Sequence, residues 1–235
     1  MEALLSIDGL LSLITLTFLE IVLGIDNIIF ISLVTQDLDP KIQPKARQLG
    51  IGLAMLFRVL MLLGITWLIG LTAPIFELGN HPVSGRDAIL FFGGVFLLAK
   101  ASTEIVKKTE GSGHVNERKS STLVGAIIQI GLLDIVFSFD SVLTAIGMTE
   151  NIAIMVIAVV ISMGIMLVFA KPIGDYIEKH VALQILALSF LIMIGTVLIA
   201  ESAHVEIPKP YVYSSVGFAL VVQLLSIRAA SKRKQ

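Results

Sequence analysis

Four acidic residues lie within long apolar runs of this 235-residue chain, in two pairs of equal spacing. An ionisable group at the centre of a membrane costs about 2.5 to 3.5 kcal/mol on insertion scales, so such groups normally face a bundle interior or a water-filled cavity. Carboxylate, amide and hydroxyl oxygens suit hard cations such as Mn²⁺, Mg²⁺ or Ca²⁺. The candidate ligands for such a cation are Glu20, Asp26, Asn27, Asp134, Asp140 and Ser141.

The spacing within each acidic pair decides whether the four acids can form one site. Residues six apart on a regular helix lie about 120° apart around the axis, so Glu20 and Asp26 do not share a face. Glu20, Gly24 and Asn27 do share a small-residue face, as do Asp134, Ser138 and Ser141. One four-acid site therefore requires helix breaks near Gly24 and Ser138, as in the discontinuous helices of transporters. With unbroken helices, the first acid of each pair would face one cavity and the second would serve another role, such as proton binding.

Three further charged residues are candidate gating residues or charge partners for the acids. Arg58 lies in the middle of an apolar run and most needs a carboxylate partner. Lys100 and Glu201 lie near the ends of such runs, where either snorkelling to the surface or a gating salt bridge is expected. A purely structural role for the acids would pair them with Arg58 and Lys100, but two cations cannot neutralise four acids.

Composition places the elements that carry these residues in a membrane. Hydrophobic residues make up 56% of the chain and charged residues only 15%, against about 25% in soluble domains. The mean hydropathy is +0.93, and several apolar runs reach the roughly 20 residues that cross a bilayer as a helix. The sequence predicts an all-α polytopic bundle, one transmembrane domain over residues 1–235. The predicted spans are 10–35, 49–72, 87–106, 122–148, 151–170, 182–200 and 211–228.

Basic residues predict the orientation of these spans. Most of the 17 Lys and Arg residues follow spans one, three, five and seven. Because basic residues concentrate in cytoplasmic loops, we expect an outside N-terminus and a cytoplasmic C-terminus. No basic residue precedes the first apolar run, so we expect it to be a retained helix and not a signal peptide. Lys171-Pro172 is expected to close the fifth span.

An internal repeat relates the two halves of the chain. Leu19–Ile28 matches Leu133–Val142 position by position, each reading acid, five residues, Asp and a small polar residue. Gly94–Lys100 likewise matches Gly195–Glu201. Three helices per unit would make the second unit enter the membrane from the opposite side, an inverted repeat typical of secondary transporters. Repeat one covers 10–106, repeat two covers 122–200, and 211–228 is an extra helix.

Other chemistry finds little support in the sequence. The chain has no cysteine, so disulfides and thiolate metal sites are excluded. It contains no phosphate-binding G-x-x-x-x-G-K-[ST] loop, nucleophile elbow or H-E-x-x-H motif. All four histidines fall in predicted loops, which disfavours zinc or copper within the membrane. We therefore expect no enzyme activity, no prosthetic group and no nucleic-acid partner.

The two acidic motifs resemble those of the TerC family of integral membrane proteins. The resemblance rests on Leu19–Ile28 and Asp134–Val142, extends through Ala99–Ser102 and Ile173–Asp175, and is closest to short bacterial members. It implies metal-ion transport, with manganese export foremost, and it implies that Glu20, Asp26, Asp134 and Asp140 are the family's transmembrane acids. The wider lysine-exporter superfamily shares the inverted-repeat plan and includes amino-acid exporters.

Residues and resemblance together favour a secondary transporter in the bacterial inner membrane. We expect it to export a divalent cation, Mn²⁺ before Ca²⁺ or Mg²⁺, with protons as a candidate counter-ion. Two alternatives stay open: a non-transporting membrane partner that supplies metal to exported proteins, and an exporter of small organic cations or amino acids. The expected partners are the lipid bilayer, the metal ion, and either a second copy of the chain or a membrane complex.

Overall fold

A computed structural model describes residues 6–36, 38–78, 81–109, 122–149, 151–205 and 207–232. The side chains of Asp26 and Asp140 lie outside this description, although both residues belong to helices. The helices are α1 (Ile7–Thr35), α2 (Gln43–Leu63), α3 (Ile65–Gly70), α4 (Gly85–Thr109), α5 (Leu123–Met148), α6 (Ile152–Glu178), α7 (Val181–Ser202) and α8 (Lys209–Lys232).

In the part of the chain that the structure describes, seven helices are long and apolar enough to cross a membrane, which confirms the predicted number of spans. They are α1, α2, α4, α5, α6, α7 and Pro210–Ala229 of α8. Side chains cap the N-termini of α1 and α5. Ser6 Oγ accepts a hydrogen bond from Gly9 N at 3.0 Å, and Thr122 Oγ1 accepts one from Gly125 N at 3.1 Å. These hydroxyls cap backbone N–H groups that have no partner within the first turn.

Two predicted boundaries are wrong. The second span begins at Gln43 and not at 49, because Pro44 occupies the first turn, where its missing N–H costs nothing. The fifth span does not end at Lys171-Pro172, since α6 continues through Pro172 to Glu178. Asp175 and Glu178 in this extension both contact Arg47 of α2, and these ion pairs hold the turns beyond the proline.

A short β-hairpin departs from the all-α prediction. Strand β1 (Pro74–Leu78) pairs antiparallel with β2 (His81–Ser84), between α3 and α4. Pro74 opens the first strand, a position that needs no ladder hydrogen bond from its nitrogen. The hairpin is the only β-structure among the described residues, so the predicted helical class stands.

The helices fall into two compact units. The first unit contains α1, α2, α3, the hairpin, α5 and α6. Within it α1 packs on α6 and on α5, and α2 packs on α5 and on α6. The buried polar side chains of this unit include Glu20, Asn27, Arg58, Asp134 and Ser138, which form the candidate site.

The second unit contains α4, α7 and α8, and its main contact is between α4 and α7. Gly94 and Gly195 let these two helices approach closely. A Cβ added to Gly94 would come within 2.6 Å of the Gly195 carbonyl oxygen, and one added to Gly195 within 2.9 Å of the Gly94 carbonyl oxygen. Small residues that let backbones meet are typical of helix packing in membranes.

Candidate functional site

The candidate site begins with one face of α1 and one face of α5. Glu20, Gly24 and Asn27 are all buried on α1, as the helical spacing predicts. On α5, Asp134, Ser138 and Ser141 are 3%, 0% and 2% exposed. The predicted small-residue faces are therefore confirmed as buried faces of the first unit.

The predicted helix breaks are wrong. Both α1 and α5 are continuous helices through Gly24 and Ser138. A break would leave backbone N–H and C=O groups without partners in hydrocarbon, at a cost of several kcal/mol each. Gly24 instead provides room for Met166 of α6, whose thioether a Cβ at this position would overlap.

The buried carboxylates of the two faces converge on Arg58 of α2. Arg58 Nη1 donates to Glu20 Oε2, and Nη2 lies 3.5 Å from Asp134 Oδ1. Arg58 is 1% exposed, and it is the largest of the fully buried side chains. The prediction that Arg58 most needs a carboxylate partner is confirmed, and the two partners come from equivalent positions of the internal repeat.

Polar side chains complete the surroundings of Asp134. Asn27 Nδ2 lies 3.4 Å from Asp134 Oδ1, and Ser138 Oγ donates to Asp134 Oδ2 at 3.1 Å. Ser141 Oγ donates to the Ser138 carbonyl at 3.2 Å and so contacts backbone, not a carboxylate. Neutral donors of this kind stabilise a buried carboxylate that one guanidinium must share with a second acid.

The charge of this group is unbalanced. With both acids ionised, Glu20 and Asp134 carry two negative charges against the single positive charge of Arg58. A buried ion pair is stable only when its geometry and additional hydrogen bonds compensate for the lost hydration. The excess negative charge makes this centre suitable for a cation, and its oxygen donors suit a hard one.

Metal ligation by the whole predicted set stays a prediction. Among the residues that the structure describes, no group of three or more His, Asp or Glu side chains is placed to hold a metal ion. Asp26 and Asp140 belong to that set and lie outside the described side chains. Glu20, Asp134 and the Asn27 amide are the described groups that could bind a cation.

A second buried arginine was not singled out by the sequence. Arg47 is 5% exposed, although its position suggested one more basic loop residue. Its Nη1 lies 3.0 Å from Asp175 Oδ1, its Nη2 3.6 Å from Glu178 Oε2, and its Nε donates to Thr35 Oγ1 at 3.2 Å. The guanidinium thus joins the end of α1, the start of α2 and the end of α6. In the sequence, only the i,i+3 spacing of Asp175 and Glu178 could have suggested an acidic partner.

The other two candidate gating residues lie in the second unit. Lys100 Nζ lies 2.8 Å from Glu104 Oε1 on the same helix, and Lys107 shares that carboxylate at 2.9 Å. Glu201 is half-buried in the last turn of α7. The pairing of Lys100 along its own helix does not test a gating role, which stays a prediction for both residues.

The class of protein follows from these features: an α-helical protein with membrane-length helices and a buried charged centre. Residues 5–235 match the family model described as "Integral membrane protein TerC family", and the chain belongs to that family. The resemblance drawn from the acidic motifs is thereby confirmed.

Several relatives are similar over nearly the whole chain. A "UPF0053 protein" of Haemophilus influenzae is 48% identical over 223 residues, 94% of each chain. The "UPF0053 inner membrane protein YgdQ" of Escherichia coli is 47% identical over 217 residues, 92% of each chain. The longer "UPF0053 inner membrane protein YoaE" of the same species is 44% identical over 91% of this chain but only 42% of its own length. No solved structure matches the chain.

Proposed function

We propose that this chain is a secondary transporter that exports a divalent metal cation, Mn²⁺ before Ca²⁺ or Mg²⁺, in exchange for protons. The observation that carries the proposal is the buried centre in which the carboxyl groups of Glu20 and Asp134 share the single guanidinium of Arg58. Intramembrane carboxylates of this kind mark ion pathways and proton relays. The same oxygens can bind a metal when ionised or carry protons when empty.

Packing in the first unit supports the inverted-repeat plan on which the proposal depends. If one repeat is superposed on the other, α1 takes the place of α5 and α2 takes the place of α6. The contact of α1 with α6 then becomes the contact of α5 with α2, and both contacts are present. Transporters built on inverted repeats hold their substrate near the midplane where the repeats meet. The positions of Glu20 and Asp134 near the middle of α1 and α5 support such a site.

The membrane assignment draws on the relatives. The Escherichia coli relative YgdQ is described as an inner membrane protein, and we propose the same location here. The distribution of Lys and Arg supports an outside N-terminus and a cytoplasmic C-terminus.

Reconstituted protein tests the proposal directly. Purified protein is placed in liposomes that contain a dye quenched by Mn²⁺, and metal entry is followed with and without an opposing pH gradient. The wild type should give Mn²⁺ flux that the gradient accelerates. Glu20→Gln and Asp134→Asn should each reduce the rate by about tenfold or more, the loss typical when a group that supports a metal site is removed.

A matched control separates the site from a general effect of losing a carboxylate. Glu77→Gln makes the same change on the exposed hairpin and should leave the flux unchanged. Asp26→Asn and Asp140→Asn, assayed in parallel, test the second acid of each pair. Wild-type liposomes with no metal flux under any gradient would refute the proposal and favour the non-transporting partner. Competition by amino acids would favour an organic substrate.

A further inference from the structure

Arg58 has no counterpart in the second half of the chain. Gly52–Arg58 aligns with Gly164–Ala170, with the glycine and Phe57 or Phe169 conserved between the halves and Ala170 at the position of Arg58. In this alignment, every buried residue of α2 is matched by a buried residue of α6. The buried residues of α2 are Gln43, Ala46, Arg47, Gly50, Ile51, Ala54, Arg58 and Leu62, and their counterparts are Met155, Ala158, Val159, Ser162, Met163, Met166, Ala170 and Gly174.

The two acids, in contrast, are present in both halves. Glu20 and Asp134 occupy equivalent positions, and both bind Arg58, which the repeat does not duplicate. With both acids ionised, this centre of two symmetric carboxylates and one asymmetric guanidinium has a net charge of −1. Adding a divalent cation while Arg58 stays in place would leave a buried net charge of +1, whereas adding it after Arg58 withdraws leaves no net charge. Since an uncompensated buried charge is costly, metal and Arg58 should exclude one another.

From this geometry we propose that Arg58 is a tethered counter-cation, which occupies the acidic centre when no substrate is bound and leaves it when a divalent cation binds. The inference rests on the proposed transport function and adds a specific role for one positioning residue. No covalent step is involved. The guanidinium replaces the substrate as the partner of Glu20 and Asp134 while the empty carrier reorients.

The hydrogen bonding of Arg58 is suited to such an exchange. Within the described part of the chain, its Nε is buried and has no hydrogen-bond partner. The contact with Asp134 is 3.5 Å long, at the outer limit of a hydrogen bond. Asp134 also has the Asn27 amide and the Ser138 hydroxyl as neutral partners. One carboxylate can therefore keep hydrogen-bond partners after the guanidinium leaves.

If Arg58 is a tethered counter-cation, its loss should affect net export and metal-for-metal exchange differently. Net export requires the empty carrier to return. With one proton bound, the centre is neutral when Arg58 occupies it, whereas without Arg58 the return would move one uncompensated carboxylate through the membrane. Exchange of metal for metal requires only the loaded carrier to move, and that form is neutral without Arg58. Arg58→Met should therefore retain exchange and lose net flux, and it should bind metal more tightly because the competitor is gone.

The experiment compares the two modes in the same proteoliposomes. Net Mn²⁺ flux is measured into metal-free vesicles, exchange is measured as entry of labelled Mn²⁺ into vesicles loaded with unlabelled Mn²⁺, and binding is measured by calorimetry in detergent. For Arg58→Met we expect exchange near the wild-type rate. Net flux should fall about a hundredfold, the factor for moving one uncompensated charge into the membrane, and Mn²⁺ affinity should rise about tenfold, a typical coupling between competing ligands.

Matched variants keep the inference open to refutation. Arg228→Met removes an exposed arginine of α8 and should change neither mode. Added guanidinium ion should restore part of the net flux of Arg58→Met and leave the wild type unaffected. If Arg58→Met does not fold, Arg58→Lys should lose net flux more than exchange, because an ammonium cannot bridge two carboxylates as a guanidinium does.

The outcomes distinguish the two proposals. A wild type with neither flux nor exchange would overturn the transport function, and the counter-cation role with it. A wild type active in both modes, with parallel losses of exchange and net flux in the folded variant, would overturn the counter-cation role alone. Unchanged Mn²⁺ affinity in Arg58→Met would also overturn it.

Discussion

The glycine pair in the second unit provides a stability prediction that can be worked out from distances. Gly94→Ala places a methyl group 2.6 Å from the Gly195 carbonyl oxygen. This neighbour is backbone and cannot rotate away, so α4 and α7 must separate by roughly 0.8 Å to restore a contact of 3.4 Å. Overpacking of this kind costs about 1 to 3 kcal/mol, and a contact between two backbones belongs at the upper end.

The helix itself partly offsets this cost. Alanine is favoured over glycine within a helix by about 1 kcal/mol, so Gly94→Ala should lose about 2 kcal/mol of unfolding free energy. Gly217→Ala in α8 is the matched control, because a Cβ there meets no atom within 4 Å. The control should keep the propensity gain of about 1 kcal/mol. The expected difference between the two variants is therefore about 3 kcal/mol.

Unfolding of the purified protein in detergent, followed by circular dichroism, measures this difference. Gly195→Ala should resemble Gly94→Ala, since its methyl group would meet the Gly94 carbonyl at 2.9 Å. The double variant should lose less than the sum of the two, because one separation of the helices relieves both contacts. Equal stability of Gly94→Ala and Gly217→Ala would refute the reasoning, and so would strict additivity.

Two further predictions concern charged side chains outside the candidate site. Arg47→Met should destabilise the first unit by about 1 to 3 kcal/mol, because it removes hydrogen bonds made by a buried charged group. Asp175→Asn should cost less, since Glu178 also contacts Arg47. Equal costs of the two variants in detergent unfolding would contradict this. His204 has φ of 59° and lies 3.1 Å from the buried Asp87 carboxylate. His204→Ala should therefore lower the free energy of unfolding by about 1 to 2 kcal/mol. His204→Asn should lower it less, because asparagine accepts this backbone conformation and retains a hydrogen-bond donor. The reverse order would contradict this prediction.

The sequence by itself determined the number of membrane-length helices and the buried faces that carry the acids. A helix needs about 20 apolar residues to cross hydrocarbon, so the runs could be read from composition alone. Helical periodicity placed Glu20 with Asn27 and Asp134 with Ser138 on common faces, and burial confirmed both. The acidic motifs also indicated the family, because two such pairs in one chain form a specific pattern.

Only the tertiary structure decided which side chains meet. The sequence offered Arg58 and Lys100 as partners for the acids, and packing placed Arg58 between Glu20 and Asp134 while Lys100 pairs with Glu104 on its own helix. Such choices depend on which helix faces are opposed. Periodicity within a single helix contains no information about its neighbours.

Packing also decided that α1 and α5 stay unbroken and that Arg47 is buried. α1 is continuous through Gly24, because a break would leave backbone groups without partners in hydrocarbon. The burial of Arg47 follows from α6 continuing to Asp175 and Glu178. The sequence left open whether four acids form one site or divide into two roles. Continuous helices separate the faces of the acids within each pair, because residues six apart on an α-helix point in different directions.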